Sequence, residues 1–452
     1  MGLATFKGGV HPYEGKELSE NKPVQVLMPK GDLVFPMSQG IGAPANPLVK
    51  KGDRVLAGQI IGEAGGFISA NVICSVSGTV KAVEPRRVAS GGMVNSVVVE
   101  NDGQYEAVEG MGTDRDPATL SKQEIRDIVK AAGIVGMGGA GFPTNVKLSP
   151  KNEDAIEYIL INGAECEPYL TSDYRCMMED PEKIIGGLKV VLQLFDKAKG
   201  VIGIENNKPE AIKKLKELVK DEPRIEVCEL LTKYPQGGER SLIYAVTGRS
   251  VNSSMLPADA GCIVDNIGTV IAIYDAVCKT TPLIERVFTV TGDAIADPRN
   301  FRIKIGTNTQ ELIEAAGGFK QDPEKVISGG PMMGMALADL NVPICKNNNA
   351  LTVLGEDPVA LAEQQETACL RCGRCMRVCP LGLSPQEMMD AAKRRRFVRY
   401  EKKLYGLECI ACGSCTYVCP AKRPLMQTFK QTKAEIMAKK RAAQAQQGGA
   451  KK

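Results

Sequence analysis

Between residues 24 and 100 the apolar positions come in short runs cut by glycine and proline: VQVLMP, LVKKGDRVLAGQIIGE, SVSGTVKAVE and NSVVVEND. Runs of this length bounded by turn residues predict strands, so this part of the chain reads as all-β. The period changes at Ser121. There SKQEIRDIVKAAG spaces its apolar residues along one face of a helix, with Ser121 and Glu124 as a capping box and Gly133 ending it before a glycine-rich loop. YILING at 158–163 predicts a strand, followed by a helix at 181–195, a strand at 199–205, a helix at 208–221 and a strand at 224–230. Such alternation predicts a parallel sheet with helices on its faces. Residues 286–340 return to β with one helix, in RVFTVTGDAI, FRIKIGT, TQELIEAAGGF and KVISGGPMMG. The asparagine-rich KNNNALTVLGEDPV then reads as a linker, and a cysteine-rich segment begins beyond Glu363.

A chain of 452 residues is too long for one core and implies several domains. No apolar run approaches the roughly 18 residues of a spanning helix. The opening MGLATFKGGVHPYEG lacks the apolar centre of a signal peptide, which gives the expectation of a soluble, cytosolic chain. In a reducing compartment, 15 cysteines point to metal ligation sooner than to disulfides. The formal charge of +4 is too small to argue for nucleic acid. Its basic excess gathers after Lys393, in KRRRFVRYEKK and the final segment, where it suits an acidic partner surface or anionic lipid.

Eight cysteines form two runs of identical spacing, Cys369, Cys372, Cys375, Cys379 before Pro380 and Cys409, Cys412, Cys415, Cys419 before Pro420. This is the bacterial ferredoxin pattern, in which the fourth cysteine of each run serves the other cluster. The expected ligand sets are Cys369, Cys372, Cys375 with Cys419 for one [4Fe–4S] cluster, and Cys409, Cys412, Cys415 with Cys379 for the second. Zinc sites want CxxC pairs and have no use for the evenly spaced third cysteine. Between the runs, Ser384 and Glu387 form a second capping box with Pro385 at the first helical position, predicting a helix. Met388, Met389, Phe397 and Val398 would pack toward the clusters, and 393–396 would face outward to a partner.

The loop Gly136-Met-Gly138-Gly139-Ala-Gly141-Phe142 satisfies a dinucleotide fingerprint, but it follows a helix where a Rossmann turn follows a strand. Its backbone amides can still surround a phosphate. The loop with Lys147, the stretches 162–168 and 234–239, and Asp265-Asn266-Ile-Gly-Thr269 together resemble the flavin-binding subunit of respiratory complex I. That resemblance implies FMN held by Gly136, Gly138, Gly139, Gly141 and Lys147, with Asn162, Glu165, Gly237, Asn266 and Thr269 as further contacts. It implies Glu167 and Glu239 on the nicotinamide-nucleotide side and Phe142 stacking on a ring of the dinucleotide. Leu148 and Gly238 depart from that family, which carries an aromatic and an acidic residue there.

VKKGDRVLAGQIIG paired with VSGTVKAV resembles lipoyl and biotinyl carriers, yet no lysine occurs between Gln59 and Cys74, so a docking or structural module is expected. With TFKGGVHP at 5–12 and GIGAP at 40–44, the chain as a whole resembles the C-subunit family of the Rnf complex. The only histidine, His11, reads as solvated or capping. The resemblance implies a multidomain β and α/β protein. The expected domains are a barrel-sandwich hybrid at 1–112, a Rossmann-like FMN and NAD(H) domain at 113–285 and a β-grasp soluble-ligand-binding domain at 286–345. An α-helical double-cluster ferredoxin domain at 360–430 and a basic flexible tail at 431–452 follow.

It further implies a peripheral subunit on the cytoplasmic face of the bacterial membrane. That subunit exchanges hydride between NAD(H) and non-covalent FMN and single electrons between FMN and the clusters, with no protein nucleophile or base. Its partners would be the membrane subunits of the complex and, through them, a ferredoxin-type carrier, coupled to Na⁺ or H⁺ movement. Two other readings are a microcompartment-type cobalamin reductase, in which the flavin loop opens the protein, and an electron-transfer subunit without NADH access.

Overall fold

The computed structural model describes residues 2–449. The first β module is a four-stranded antiparallel sheet in the order Leu33–Pro36, Met93–Asn101, Gly78–Arg87, Arg54–Val55, facing a three-stranded sheet of Asn46–Pro47, Ile60–Glu63 and Val72–Ile73. Leu33, Phe35, Val55, Ile61, Val97 and Val99 fill the space between them and are fully buried. Each such side chain stabilises the module by about 1.5–3 kcal/mol relative to exposure. The VQVLMP run is not part of it. Gln25–Leu27 pairs in parallel with Arg299–Lys304, far along the chain, so the N-terminal segment leaves the module that its sequence pattern suggests.

The α/β alternation produces a parallel sheet in the order Ile225–Leu230, Lys199–Glu205, Tyr158–Gly163, Cys262–Asn266. Helices cover both faces, so the strands are near-continuous apolar runs. The capping box at Ser121 forms with both of its hydrogen bonds. The order of this sheet reverses direction: the chain builds outward from Tyr158–Gly163, then returns to add Cys262–Asn266 on the other side. In open α/β sheets the ligand crevice lies at the carboxyl ends of the strands at such a reversal. Here those ends carry Asn162 and Asn266, opposite one another in the register.

The third module is a six-stranded sheet in the order Gln25–Leu27, Arg299–Lys304, Glu285–Thr291, Ala350–Leu354, Lys325–Ser328, Met335–Ala336. The expected linker is therefore wrong. Ala350–Leu354 is a central strand, every residue buried. Its five residues are the pattern of a strand covered on both faces, which the flanking asparagines and Gly355 disguise.

The cysteine module consists of Arg374–Arg377, Pro385–Lys393, Ser414–Tyr417 and the long helix Leu425–Gly449. The tail expected to be flexible from 431 is helical to Gly449, anchored by Leu425, Phe429 and Ile436 against Met388, Met389 and Tyr400. Residues 450–452 lie outside the described residues. The second capping box does not form, because Ser384 makes no capping hydrogen bond and Glu387 accepts from Arg399 at 3.0 Å. Val398 is 77% exposed and does not face the cysteines, whereas Met388 and Met389 do.

The N-terminal arm ties the modules together. Ala4 bridges to Leu230, Val10 to Tyr234, and Gly9 N donates to Val378 O at 2.9 Å. Lys16 Nζ donates to the carbonyls of Glu165 (2.8 Å), Glu167 (3.2 Å) and Leu170 (2.7 Å).

Candidate functional site

The glycine-rich loop comes before the first strand of the parallel sheet and lies over its reversal point. Gly136 N donates to Phe142 O at 2.8 Å, closing the loop on itself. Met137 N donates to Thr269 Oγ1 at 2.9 Å, in the first turn of the helix Ile267–Cys278. Asn266 caps that helix through Gly268 N (2.9 Å), and its Nδ2 donates to Asp173 Oδ2 at 2.6 Å. Between these anchors the amides of Gly138, Gly139, Ala140 and Gly141 make no hydrogen bond among the described residues. Gly141 is buried at φ +66° and a Cβ there would come 2.8 Å from Gly40 Cα; a Cβ on Gly139 would meet nothing. Unpaired amides beside a capped helix N-terminus form a cradle for a phosphate.

The charged residues of the site divide into two groups. Lys147 Nζ donates to Val264 O and to Asp265 Oδ1, both at 3.0 Å, while Asp265 Oδ2 is buried without a partner among the described residues. Glu239 opens the helix Glu239–Thr247, and burial raises its pKa against the opposing pull of Lys147. Asn162 Nδ2 donates to Gly237 O at 2.8 Å, and Gly237 N donates to Cys166 Sγ at 3.2 Å. These residues surround the reversal point.

The carboxylates of Glu165 and Glu167 turn elsewhere. Glu165, at φ +47°, accepts from Asp173 N (2.7 Å) and Tyr174 N (3.1 Å), capping the helix Ser172–Glu179. Glu167 accepts from Met332 N (3.1 Å) and Met333 N (2.8 Å) of the six-stranded module, and burial pushes its pKa up to about 7. Sequence reasoning missed Asp173. Burial and the nearby Glu165 raise its carboxyl to about 7, and it orients Asn266. Its only sequence signal is a place shortly beyond the 162–168 motif.

The two cysteine runs interleave. Cys409, Cys412 and Cys415 line one cavity together with Cys379 of the other run, walled by Met388 and Phe429. Burial raises the Cys375 thiol, and the neighbouring Cys419 and Cys369 thiols raise it further. Among the described residues no three such side chains converge on one point that a single metal ion could occupy. Thiols set apart around a shared cavity suit the separate corners of a cubane, and two interleaved tetrads fit two of them. Binding a cluster would release their protons. Cys412 is buried against Val10 and Tyr234, with Cys166 and Met332 alongside, so the second tetrad abuts the Asn162–Gly237–Cys166 group. Cys369 and Cys372 are exposed.

The chain matches four family models: the RnfC barrel sandwich hybrid domain at 4–104, the Nuo51 FMN-binding domain at 129–275, the SLBB domain at 287–336 and the 4Fe-4S dicluster domain at 362–420. It is 44% identical to the C subunit of the proton-translocating ferredoxin:NAD(+) oxidoreductase complex of Clostridium ljungdahlii, over 96% of this chain and 95% of that one. It is also 44% identical to the Na(+)-translocating counterpart of Acetobacterium woodii, over 97% and 98%. The C subunit of the ion-translocating oxidoreductase complex of Pseudomonas aeruginosa is 40% identical over 85% of this chain and 50% of its own length. No helix among the described residues is long and apolar enough to cross a membrane.

Proposed function

This chain belongs to the C-subunit family of ion-translocating ferredoxin:NAD(+) oxidoreductase complexes, and from that premise we propose that the reversal point of its parallel sheet holds FMN and admits NAD(H) to it. The protein is an oxidoreductase subunit with an FMN-binding domain and two [4Fe–4S] clusters, and it works within a membrane-associated complex. When bound, FMN accepts the two electrons of a hydride and releases them one at a time.

In the proposal, the free amides of Gly138, Gly139 and Gly141 hold the flavin phosphate, with Gly136 and Phe142 closing the loop behind them. Asn266, fixed by Asp173 and Gly268, and Asn162, fixed by Gly237, direct polar groups toward the flavin. Thr269 holds the loop in place through Met137. Lys147 compensates the buried Asp265, and Glu239 stands where the nucleotide enters. Glu165 and Glu167 act by setting the backbone of 165–170, their carboxylates being committed to a helix terminus and to the six-stranded module. Cys369, Cys372, Cys375 and Cys419 hold one cluster; Cys409, Cys412, Cys415 and Cys379 hold the other.

The observation that carries this reading is the packing of Cys412 against Tyr234, beside Cys166. Through Cys166 and Gly237 it links the second tetrad to Asn162 at the reversal point of the sheet. The proposal extends to a position at the cytoplasmic face of the membrane, with single electrons exchanged with membrane subunits and, through them, with a ferredoxin-type carrier. Contact of the basic C-terminal helix with anionic lipid is part of it. Relatives named for H⁺ and for Na⁺ are both 44% identical to this chain. Anaerobic reconstitution with FMN, iron and sulfide followed by NADH addition tests the reading: the flavin absorbance should bleach. A flavin that stays oxidised in a chain with full iron would leave an electron-transfer subunit without NADH access.

A further inference from the structure

The two tetrads differ in exposure, and the difference gives the electron path an outer end. Cys412 of the second set is buried beside Tyr234, while Cys369 and Cys372 of the first are exposed. Around them Leu370 is 65% and Met376 40% exposed. Arg371, Arg374 and Arg377 stand at regular spacing through this run, all exposed, and none makes an ion pair among the described residues. Thr367 N donates to Ala421 O at 3.1 Å, which brings exposed Lys422 to the same face, also without an ion pair among the described residues. Glu408 lines the same cleft as Met376 and Arg377 but is engaged by Arg240 at 3.0 Å and Ser253 N at 2.7 Å, and Glu366 is engaged by Lys393 at 3.3 Å and Arg423 at 3.7 Å.

The basic stretch at 393–399 is different, because its own protein largely neutralises it. Lys393 pairs with Glu366, Arg394 with Asp390 at 2.8 Å, Arg395 with Glu435 and Arg399 with Glu387 at 3.0 Å, leaving Arg396 unpaired among the described residues. A paired charge contributes little far field, and three unpaired guanidiniums around an apolar centre contribute much.

We propose that the exposed face of the first cysteine run, with Leu370 and Met376 at its centre and Arg371, Arg374 and Arg377 around them, is the docking surface for an acidic protein that carries a one-electron centre. The proposal rests on the cluster reading above and replaces the 393–396 helix face as the place where a redox partner sits. No bond forms or breaks there: one electron leaves the partner's centre and enters an oxidised cluster, or the reverse.

The test uses the full chain with its clusters reconstituted and, as probe, chemically reduced bacterial flavodoxin, an acidic one-electron carrier followed by its own absorbance in stopped flow. The parent's second-order rate should fall steeply with added salt. In the triple variant Arg371→Glu, Arg374→Glu, Arg377→Glu the low-salt rate should drop about tenfold or more. At high salt, where the Debye length shrinks to about 3 Å, variant and parent should agree. Lys393→Glu, Arg394→Glu, Arg396→Glu, the same charge change on the other face, should lose clearly less of the low-salt rate than the first variant. An unchanged low-salt rate, an equal loss in the second variant, or a loss that persists at high salt overturns the proposal. NADH and FMN take no part in this assay, so its failure leaves the NADH reading standing; a parent that takes up no iron sinks the cluster reading and this proposal with it.

Discussion

Arg240, in the first turn of the helix Glu239–Thr247, donates to Glu408, the residue immediately before the second cysteine run, at 3.0 Å. Ser253 N donates to the same carboxylate at 2.7 Å. The helix that opens at the proposed flavin cradle and the loop that begins the second cysteine run are thereby pinned to one another across the module boundary.

Removing that pin should affect electron passage more than flavin reduction. With Arg240→Gln, NADH should bleach the flavin at the parent rate, while the subsequent reduction of the clusters slows. Anaerobic stopped-flow spectroscopy separates the two phases. Ser253 and Arg240 lower the Glu408 pKa despite the opposing effect of burial. Its contribution to the interface is therefore present above the usual carboxylate range and lost as pH falls through the depressed value. Equal slowing of both phases would mean that Arg240 supports the cradle itself.

Lys346 is fully buried, and its Nζ donates to Asn71 O and, at 2.7 Å, to Gly133 O, joining three modules at one atom. Burial lowers its pKa to about 7. Between that value and the ordinary lysine range the unfolded chain binds more protons than the folded one, so this group makes stability rise with pH across that interval. Lys346→Met should lose about 1–3 kcal/mol through the two abandoned carbonyls. The gap between parent and variant should widen as pH rises above neutral, as read from denaturant melts. A gap that is constant with pH would mean that Lys346 does not titrate there.

Local patterns announced most of the elements, and what escaped depended on distant partners. The capping box at Ser121 forms because its helix starts free of other demands, whereas Glu387 is drawn away from Ser384 by Arg399. Ala350–Leu354 reads as a linker until Glu285–Thr291 and Lys325–Ser328 are seen on either side of it. The same holds at the site. Glycine spacing pointed to the proposed cradle, but nothing local to Glu165 or Glu167 says that their carboxylates are occupied by a helix terminus and by Met332 and Met333. Asp173 was invisible because its importance lies in reaching Asn266, some ninety positions away.

The cradle glycines should fall into two classes when replaced by alanine. Gly139→Ala places its methyl in open space, so the fold should melt like the parent while the methyl crowds the proposed phosphate position. FMN retention, followed by fluorescence after gel filtration, should fall about tenfold or more, equivalent to roughly 1.4 kcal/mol. Gly141→Ala drives a methyl to 2.8 Å from Gly40 Cα at a positive φ, and should cost stability with or without flavin. A Gly139→Ala chain that keeps FMN at parental affinity would remove that residue from the cradle.

The crossed cysteine tetrads can be tested by counting iron. Cys379 belongs to the first run but lines the cavity of Cys409, Cys412 and Cys415. If the fourth cysteine crosses over, Cys379→Ser and Cys409→Ser strike the same cluster, so the double variant should lose no more iron than either single one and keep the other cluster intact. If each run instead served its own cluster, the same two substitutions would damage both, and the double variant would lose about twice what a single one does, by simple additivity of independent sites. Iron per chain and the low-temperature EPR signal of the reduced protein distinguish the outcomes. The complementary pair, Cys379→Ser with Cys369→Ser, should behave in the opposite way, striking both clusters under crossed ligation and only one under run-by-run ligation.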